Sequence, residues 1–187
     1  MGDLLFVAQI ESGRLTLELG EASLQLLARE SVDALRPAAK RGSVELRLDA
    51  APVPPLRGDA ARLGQLLDNL VSNAVKFTPP GGRVVVALGA SGEDVVLAVS
   101  DTGMGVPAAE HRQLFDRFFR ASSAQERAIE GTGLGLTIAR AIVEAHSGSI
   151  DFTSVEGEGT TFRVRLPLAG PRAGEAVSPA ARTETLV

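Results

Sequence analysis

The sequence predicts an α/β fold, a two-layer sandwich of one mixed sheet and about three helices, on three observations. Two long segments, residues 24–35 and 60–77, repeat apolar residues at three- and four-residue spacing, as a helix with one buried face does. Val44, Leu46 and Leu48 alternate with Glu45 and Arg47, and Phe162, Val164 and Leu166 with Arg163 and Arg165, which is the period of a half-buried strand. The apolar runs at 84–88 and 95–99, joined through 89–94, read as a hairpin, so the sheet has antiparallel neighbours. About five strands are expected, without the strict βαβ repetition of a doubly wound parallel sheet.

The elements follow in order. Leu4, Leu5 and Ala8 lie at helical spacing and Gly13 can stop a helix, so residues 1–12 read as the last turns of one. A short strand is expected at 15–19, then the first amphipathic helix, ending before Pro37 or shortly after it, and a strand at 44–48. Residues 50–56 carry Pro52, Pro54 and Pro55 and read as a loop. Asp59 is a good N-cap for the second helix, whose face of Leu63, Leu66, Leu67, Leu70, Ala74 and Phe77 is stopped by Pro79, Pro80, Gly81 and Gly82. After the hairpin come a glycine loop at 101–105, a helix near 108–116 and a polar stretch at 121–130 expected to be mobile. Residues 131–135 open a helix reaching His146, strands follow at 149–154 and 161–166, and residues 169–187 have the composition of a disordered tail.

Composition narrows the function. A chain of 187 residues suits one domain with a stub and a tail. With no cysteine there is no disulfide framework, thiolate nucleophile or cysteine metal site, and two histidines, His111 and His146, make a histidine metal cluster improbable. A net charge of -4 offers no electrostatic footprint for nucleic acid or an anionic membrane. No apolar run approaches the roughly 20 residues of a membrane span, and the first ten residues lack a signal-peptide pattern. These features point to a soluble cytoplasmic domain, whether or not its parent protein is anchored in a membrane. Any anion must be held by local geometry.

Four segments carry chemistry. On the second helix, Arg62, Gln65, Asn69, Asn73 and Lys76 form a polar stripe beside the apolar one. Such a stripe also suits a solvated face, but asparagine is a poor mid-helix residue because its side chain competes for backbone hydrogen bonds. Two neutral oxygen donors and an ammonium suit a hydrated Mg²⁺ with attached phosphates, since magnesium keeps several waters and needs few protein ligands. The loop Asp101-Thr102-Gly103-Met104-Gly105 follows an apolar strand. It can be a plain turn, or Asp101 can accept from an exocyclic amine while Gly103 and Gly105 let backbone approach a flat ring. Gly131-Thr132-Gly133-Leu134-Gly135 precedes a helix without a strand before it, which is not a Rossmann fingerprint, yet glycines at a helix start free N–H groups for phosphate. Between these loops lies Leu114-Phe115-Asp116-Arg117-Phe118-Phe119-Arg120. Its phenylalanines suit a loop anchor or a stacking platform, and Arg120 a surface charge or a phosphate contact.

In this order and spacing, Asn69 to Thr78, Asp101 to Gly105, Phe115 to Phe118 and Gly131 to Leu136 resemble the N, G1, F and G2 boxes of the sensor histidine kinases, a resemblance covering about residues 15–168. It implies a Bergerat-type ATP-binding fold. By similarity Asn73 and Asn69 would hold Mg²⁺ and the phosphates of ATP, Lys76 would neutralise phosphate charge, and Phe77 would lie beside the adenine. Asp101 would take the adenine amine, Gly133, Leu134 and Gly135 would offer backbone to the phosphates, and Thr160 or Thr161 would complete the adenine side. Residues 118–131 would form a lid over the nucleotide. Ile10-Glu11-Ser12-Gly13-Arg14-Leu15 looks like the family's junction, so residues 1–13 would end the dimerisation and phosphoacceptor helical domain, 14–168 would be the catalytic ATP-binding domain, and 169–187 a tail.

The resemblance implies transfer of the γ-phosphoryl group to a histidine outside this chain, with a response regulator downstream and no nucleic acid or membrane contact from the domain itself. His111 and His146 are expected to be structural. Small departures are Glu130 where glycine often precedes the last box, Ser147 for a common glycine, and Phe77 where tyrosine is frequent. ATP hydrolases of the same fold, such as the gyrase B subunit, mismatch-repair ATPases and heat-shock chaperones, carry a glutamate one turn before the metal-binding asparagine. Here that position is Asn69, which cannot serve as a general base. A serine kinase of the anti-sigma type and a non-catalytic ATP-sensing module are the alternatives.

Overall fold

The computed structural model describes residues 16–122 and 132–171. A five-stranded mixed sheet, ordered β2-β4-β5-β7-β6, is built from β2 (Glu45–Ala50), β4 (Arg83–Ser91), β5 (Asp94–Asp101), β6 (Ser149–Val155) and β7 (Gly159–Pro167). Only the β2–β4 pair is parallel. A two-stranded ribbon pairs β1 (Gly20–Ala22) with β3 (Leu56–Gly58). Helices α1 (Leu24–Arg41), α2 (Ala60–Phe77) and α3 (Gly135–Ala145) form the second layer, as the sequence predicts.

Alternation decides which face of the sheet they cover. Val84, Val86 and Leu88, then Val95, Leu97 and Val99, then Phe162, Val164 and Leu166 are buried, whereas Val85, Ala87, Val96 and Ala98 between them are only half-buried. Against this face α2 sets Leu63, Leu66, Leu67, Leu70 and Val71, none of which retains exposed surface. Each contributes roughly 2 kcal/mol of burial. Asp59 caps α2 by accepting from Arg62 N at 3.1 Å, as expected of it. At the other end Thr78 Oγ1 donates to Ala74 O at 2.6 Å before the two prolines.

Several elements depart from expectation. Residues 16–19 form no strand: Leu17 and Leu19 alternate, but β3 is only long enough to pair with Gly20–Ala22, and the Glu18 N–H donates to Asp59 Oδ2 instead. β3 itself begins in the segment read as a loop, because three residues are too few to show a period. α1 does follow the second of its two expected ends, running shortly past Pro37 to Arg41, where burying Ala39 offsets the bond the proline cannot make. The helix expected near 108–116 is a 3₁₀ helix that stops at 113, and α3 opens within the expected glycine run, at Gly135, because Gly133 has φ 70° and is not helical. The chain does not come loose at residue 169. Arg57 N donates to Leu168 O at 2.9 Å, Gly170 N to Pro167 O at 3.0 Å, and Gly170 lies so close to the Arg57 carbonyl that a side chain would collide with it. The expected junction at 1–13, Gly131, most of the expected lid and the rest of the tail lie outside the described residues. Among those described, no helix is long and apolar enough to cross a membrane.

The end of α3 turns through a Schellman arrangement, with Ser147 N bonded to Glu144 O and Gly148 N to Val143 O, both at 2.9 Å. Ser147 holds φ 57° there, where a Cβ is unfavourable. Ser147→Gly is therefore expected to stabilise the domain by about 1 kcal/mol, read as a rise of a few degrees in Tm. A lowered Tm would show that the serine side chain contributes more than its backbone strain costs.

Candidate nucleotide site

The stripe on α2 and the start of α3 come together. A side-chain carbon on Gly135 would lie 3.7 Å from both Asn69 Oδ1 and Asn73 Nδ2, so the two amides border the first turn of α3 directly. The three helices differ at their starts: Ser23 caps α1 and Asp59 caps α2, but Leu134 supplies no side-chain bond to α3. The first N–H groups of α3, at the positive end of its dipole, thus have no side-chain cap and suit an anionic ligand. Asn69 Nδ2 is buried without a hydrogen-bond partner, a costly state that a phosphate oxygen would relieve. Lys76 is exposed and its Nζ lies 5.2 Å from the centre of the Phe77 ring. Upstream on the stripe, Arg62 Nη1 donates to Gln65 Oε1 at 3.1 Å.

These groups also fit a magnesium ion. Among the described residues there is no cluster of three histidine, cysteine, aspartate or glutamate side chains that could cage a metal. Two amide oxygens are what Mg²⁺ accepts when phosphates and water complete its shell.

A second set of groups surrounds Asp101 at the end of β5. Its Oδ1 accepts from Gly103 N at 2.8 Å and from Thr160 N at 3.3 Å, leaving Oδ2 for a ligand. Burial pushes the carboxyl above its ordinary value, and those two backbone bonds pull it partly back. The β5–β7 register pairs Asp101 with Thr160 and Ser100 with Thr161. Thr160 therefore shares the Asp101 face, while Thr161 lies on the opposite face, where its hydroxyl donates to Ser100 Oγ at 3.0 Å. Both threonines nevertheless line the hollow beside Asp101, from opposite faces of β7. This open hollow of about 200 Å³ is lined by β6 and β7 residues and stops short of Asn69 and Asn73.

The glycine loops join these halves. Met104 N donates to Phe77 O at 3.2 Å, tying the 101–105 loop to the end of α2, and Gly157 N donates to Met104 O at 2.8 Å, tying it to the β6–β7 turn. Gly105, at φ 62°, sits against the Val155 carbonyl with no room for a side chain. Gly133 accepts from Phe118 N at 3.1 Å, and a side chain there would come within 2.7 Å of the Phe118 backbone. Thr132 Oγ1 accepts from Leu134 N at 3.4 Å, holding the turn before α3.

The phenylalanine segment divides its roles. Phe115 packs edge-on against Phe152 and Phe162, whereas Phe118 is 63% exposed at φ 58°. Arg120 ends this segment, partly buried. His111 Nε2 bonds Val106 O at 3.0 Å and its ring stands against Phe152, while His146 is buried with both ring nitrogens bonded. Sequence reasoning missed Ser154, whose Oγ donates to Gly159 O at 3.1 Å, lies 2.8 Å from Thr160 Oγ1 and accepts from Val106 N at 2.9 Å. A serine on a strand has no spacing signal, although Gly157 and Gly159 nearby mark the turn it supports.

An α/β domain with an uncapped helix start facing two amides, and a half-buried carboxylate at a neighbouring strand end, has the features of a nucleotide-binding domain. The family model of histidine kinase-, DNA gyrase B- and HSP90-like ATPases matches residues 58–170, and the chain belongs to that family. It is 40% identical over 170 residues to the circadian input-output histidine kinase CikA of Synechococcus elongatus, a match covering 89% of this chain and 22% of that protein. Its structure is similar to that of ShkA in complex with AMPPNP, with a TM-score of 0.79 and 29% identity over 92% of this chain and 36% of that one. The catalytic domain of histidine kinase ThkA matches with a TM-score of 0.71 and 27% identity, over 81% of this chain and 99% of that one. The chain is thus homologous to the catalytic ATP-binding domains of sensor histidine kinases, and it spans about a fifth of the length of CikA.

Because burial raises the Asp101 carboxyl, whatever stability the group contributes is complete below its ordinary value of 3.8 and is lost as pH rises through the raised value. Asp101→Asn keeps an oxygen for Gly103 and Thr160 and removes the buried charge. The variant is expected to melt above wild type at pH 7, to equal it in strong acid, and to lose ATP affinity. A lower melting temperature at pH 7 would show that the charge stabilises the fold.

Proposed function

We propose that residues 14–168 bind Mg-ATP across the faces of α2 and α3 and deliver its γ-phosphoryl group to a histidine outside this chain. The observation that carries the reading is the uncapped start of α3 set against Asn69 and Asn73, with Asn69 Nδ2 unpartnered. Asn69, Asn73, the backbone of Thr132, Gly133, Leu134 and Gly135, and Lys76 bind the triphosphate. Arg120 and Gly131 join them from the flanks of the lid. Asp101 Oδ2 accepts from the adenine amine, with Phe77, Gly103, Gly105 and Thr160 shaping the base pocket. Magnesium, held by Asn73 and Asn69, supplies charge neutralisation on the phosphates.

An incoming imidazole nitrogen attacks the γ-phosphorus in line, the bond to the β–γ bridging oxygen breaks, and ADP leaves. Phosphoryl transfer rests on positioning and charge neutralisation, which these groups provide. The asparagine at position 69 cannot activate water, so ATP is preserved until the acceptor arrives. Neither histidine of this chain can serve: His111 is engaged with Val106 O, and His146 is 1% exposed. The acceptor belongs to a dimerisation and phosphoacceptor helical domain, to which residues 1–13 are assigned, and a response regulator takes the phosphoryl group onward.

The chain mixed with γ-labelled ATP is expected to stay unlabelled, and to label a separately supplied histidine-bearing helical domain of the same parent. Label on the chain alone would remove the claim about its histidines, and failure to label that domain despite ATP binding would favour the ATP-sensing module. Asn73→Asp places a carboxylate beside the phosphates and should weaken Mg-ATP binding by about tenfold or more with an unchanged circular dichroism spectrum. Wild-type affinity in that variant would take Asn73 out of the site.

A further inference from the structure

We infer that His146 is a positioning residue for the nucleotide site, clamping the far ends of the two helices whose near ends carry the phosphate-binding groups. Its Nε2 lies 3.0 Å from the backbone N of Asp59, at the start of α2, and its Nδ1 lies 2.7 Å from Ile142 O, one turn back on α3. A backbone amide only donates and a carbonyl only accepts, so the ring is neutral, with its proton on Nδ1. Burial holds this imidazole below its ordinary value, which agrees with that assignment.

The clamp has little slack. The ring is 1% exposed, and a side-chain carbon on Gly58 of β3 would come within 3.0 Å of His146 Cδ2 and 2.9 Å of Leu63 Cδ1. Asp59 is itself held three ways: its backbone N–H reaches His146, its Oδ1 caps α2 through Arg62 N, and its Oδ2 accepts from Glu18 N on the segment entering the domain.

α2 and α3 run antiparallel, so the Asp59–His146 contact lies at one end of the pair and Asn69, Asn73 and Gly135 at the other. The two ends are roughly 15 Å apart along each helix. A packed helix transmits a shift at one end to the other rather than absorbing it locally. Without the clamp, α3 can slide or tilt on α2, and the spacing between its first N–H groups and the two amides is no longer held. Asp101 lies on β5 and is reached through other contacts, so the base side of the site should respond less.

This inference rests on the proposed binding of Mg-ATP at the α2–α3 face. Its test compares His146→Leu, which fills similar volume without an acceptor, with His146→Gln, whose side-chain oxygen can still accept from Asp59 N. Affinities for Mg-ATP and for adenosine are measured on the full chain at a temperature where each protein is folded. His146→Leu is expected to weaken Mg-ATP about fivefold more than adenosine, and His146→Gln to restore most of the loss. An unchanged ratio in a folded His146→Leu variant would overturn the inference. Failure of the wild-type chain to bind Mg-ATP would instead overturn the reading beneath it.

Wild-type protein supplies a second readout that needs no folded variant. Coupling is reciprocal, so Mg-AMPPNP should slow hydrogen exchange at Asp59 N more than at Leu97 N in the central strand. Equal slowing at both, or none at Asp59, would count against the clamp.

Discussion

The close packing of the start of α3 against Asn69 and Asn73 is the constraint on which the rest of the site depends. Gly135 marks how near they come: a side-chain carbon there would stand in van der Waals contact, 3.7 Å, with both amides. It also needs the two helices antiparallel on one face of the sheet, which the apolar faces of α2 and of α3, with Ile138, Ala139 and Ile142, provide. Once those faces are buried, two motifs more than 60 residues apart in the chain meet, and, among the described residues, the only uncapped α-helix start borders the only buried side-chain amide without a partner.

The site concentrates the domain's local costs. A half-buried carboxylate, an unpartnered amide and an uncapped helix each cost stability in isolation. In the proposed function all three meet the same nucleotide, so that binding would relieve them together. Away from the site the pattern reverses: α1 and α2 are capped, His146 has both nitrogens bonded, and Ser31 on α1 donates to Asp68 of α2 at 2.7 Å. The contrast separates what holds the fold from what awaits a nucleotide.

Much of this was legible in the sequence. Asp59 as a cap, the apolar face of α2, the β4–β5 hairpin and the four motifs all rest on local patterns of side chains that a linear reading can count. Other features depend on what packs against a segment. Leu17 and Leu19 alternate like a strand but have no partner long enough to pair with, and three-residue β3 has no period to detect. That Thr160 and Thr161 lie on opposite faces could have been read in advance, since Thr160 continues the buried series of Phe162, Val164 and Leu166. Ser154 was not legible at all, because its bonds to Gly159, Thr160 and Val106 exist only once β6 and β7 are paired.

The central claim is that the two asparagine amides meet the phosphates and metal rather than merely facing solvent. It is tested most directly by following their side-chain N–H₂ resonances in the ¹⁵N-labelled chain while nucleotide is added. The account predicts that the Asn69 and Asn73 amide signals move on addition of Mg-AMPPNP and stay near their free positions with adenosine alone. Saturating Mg-AMPPNP that shifts backbone signals around Asp101 but leaves both side-chain amides in place would contradict it.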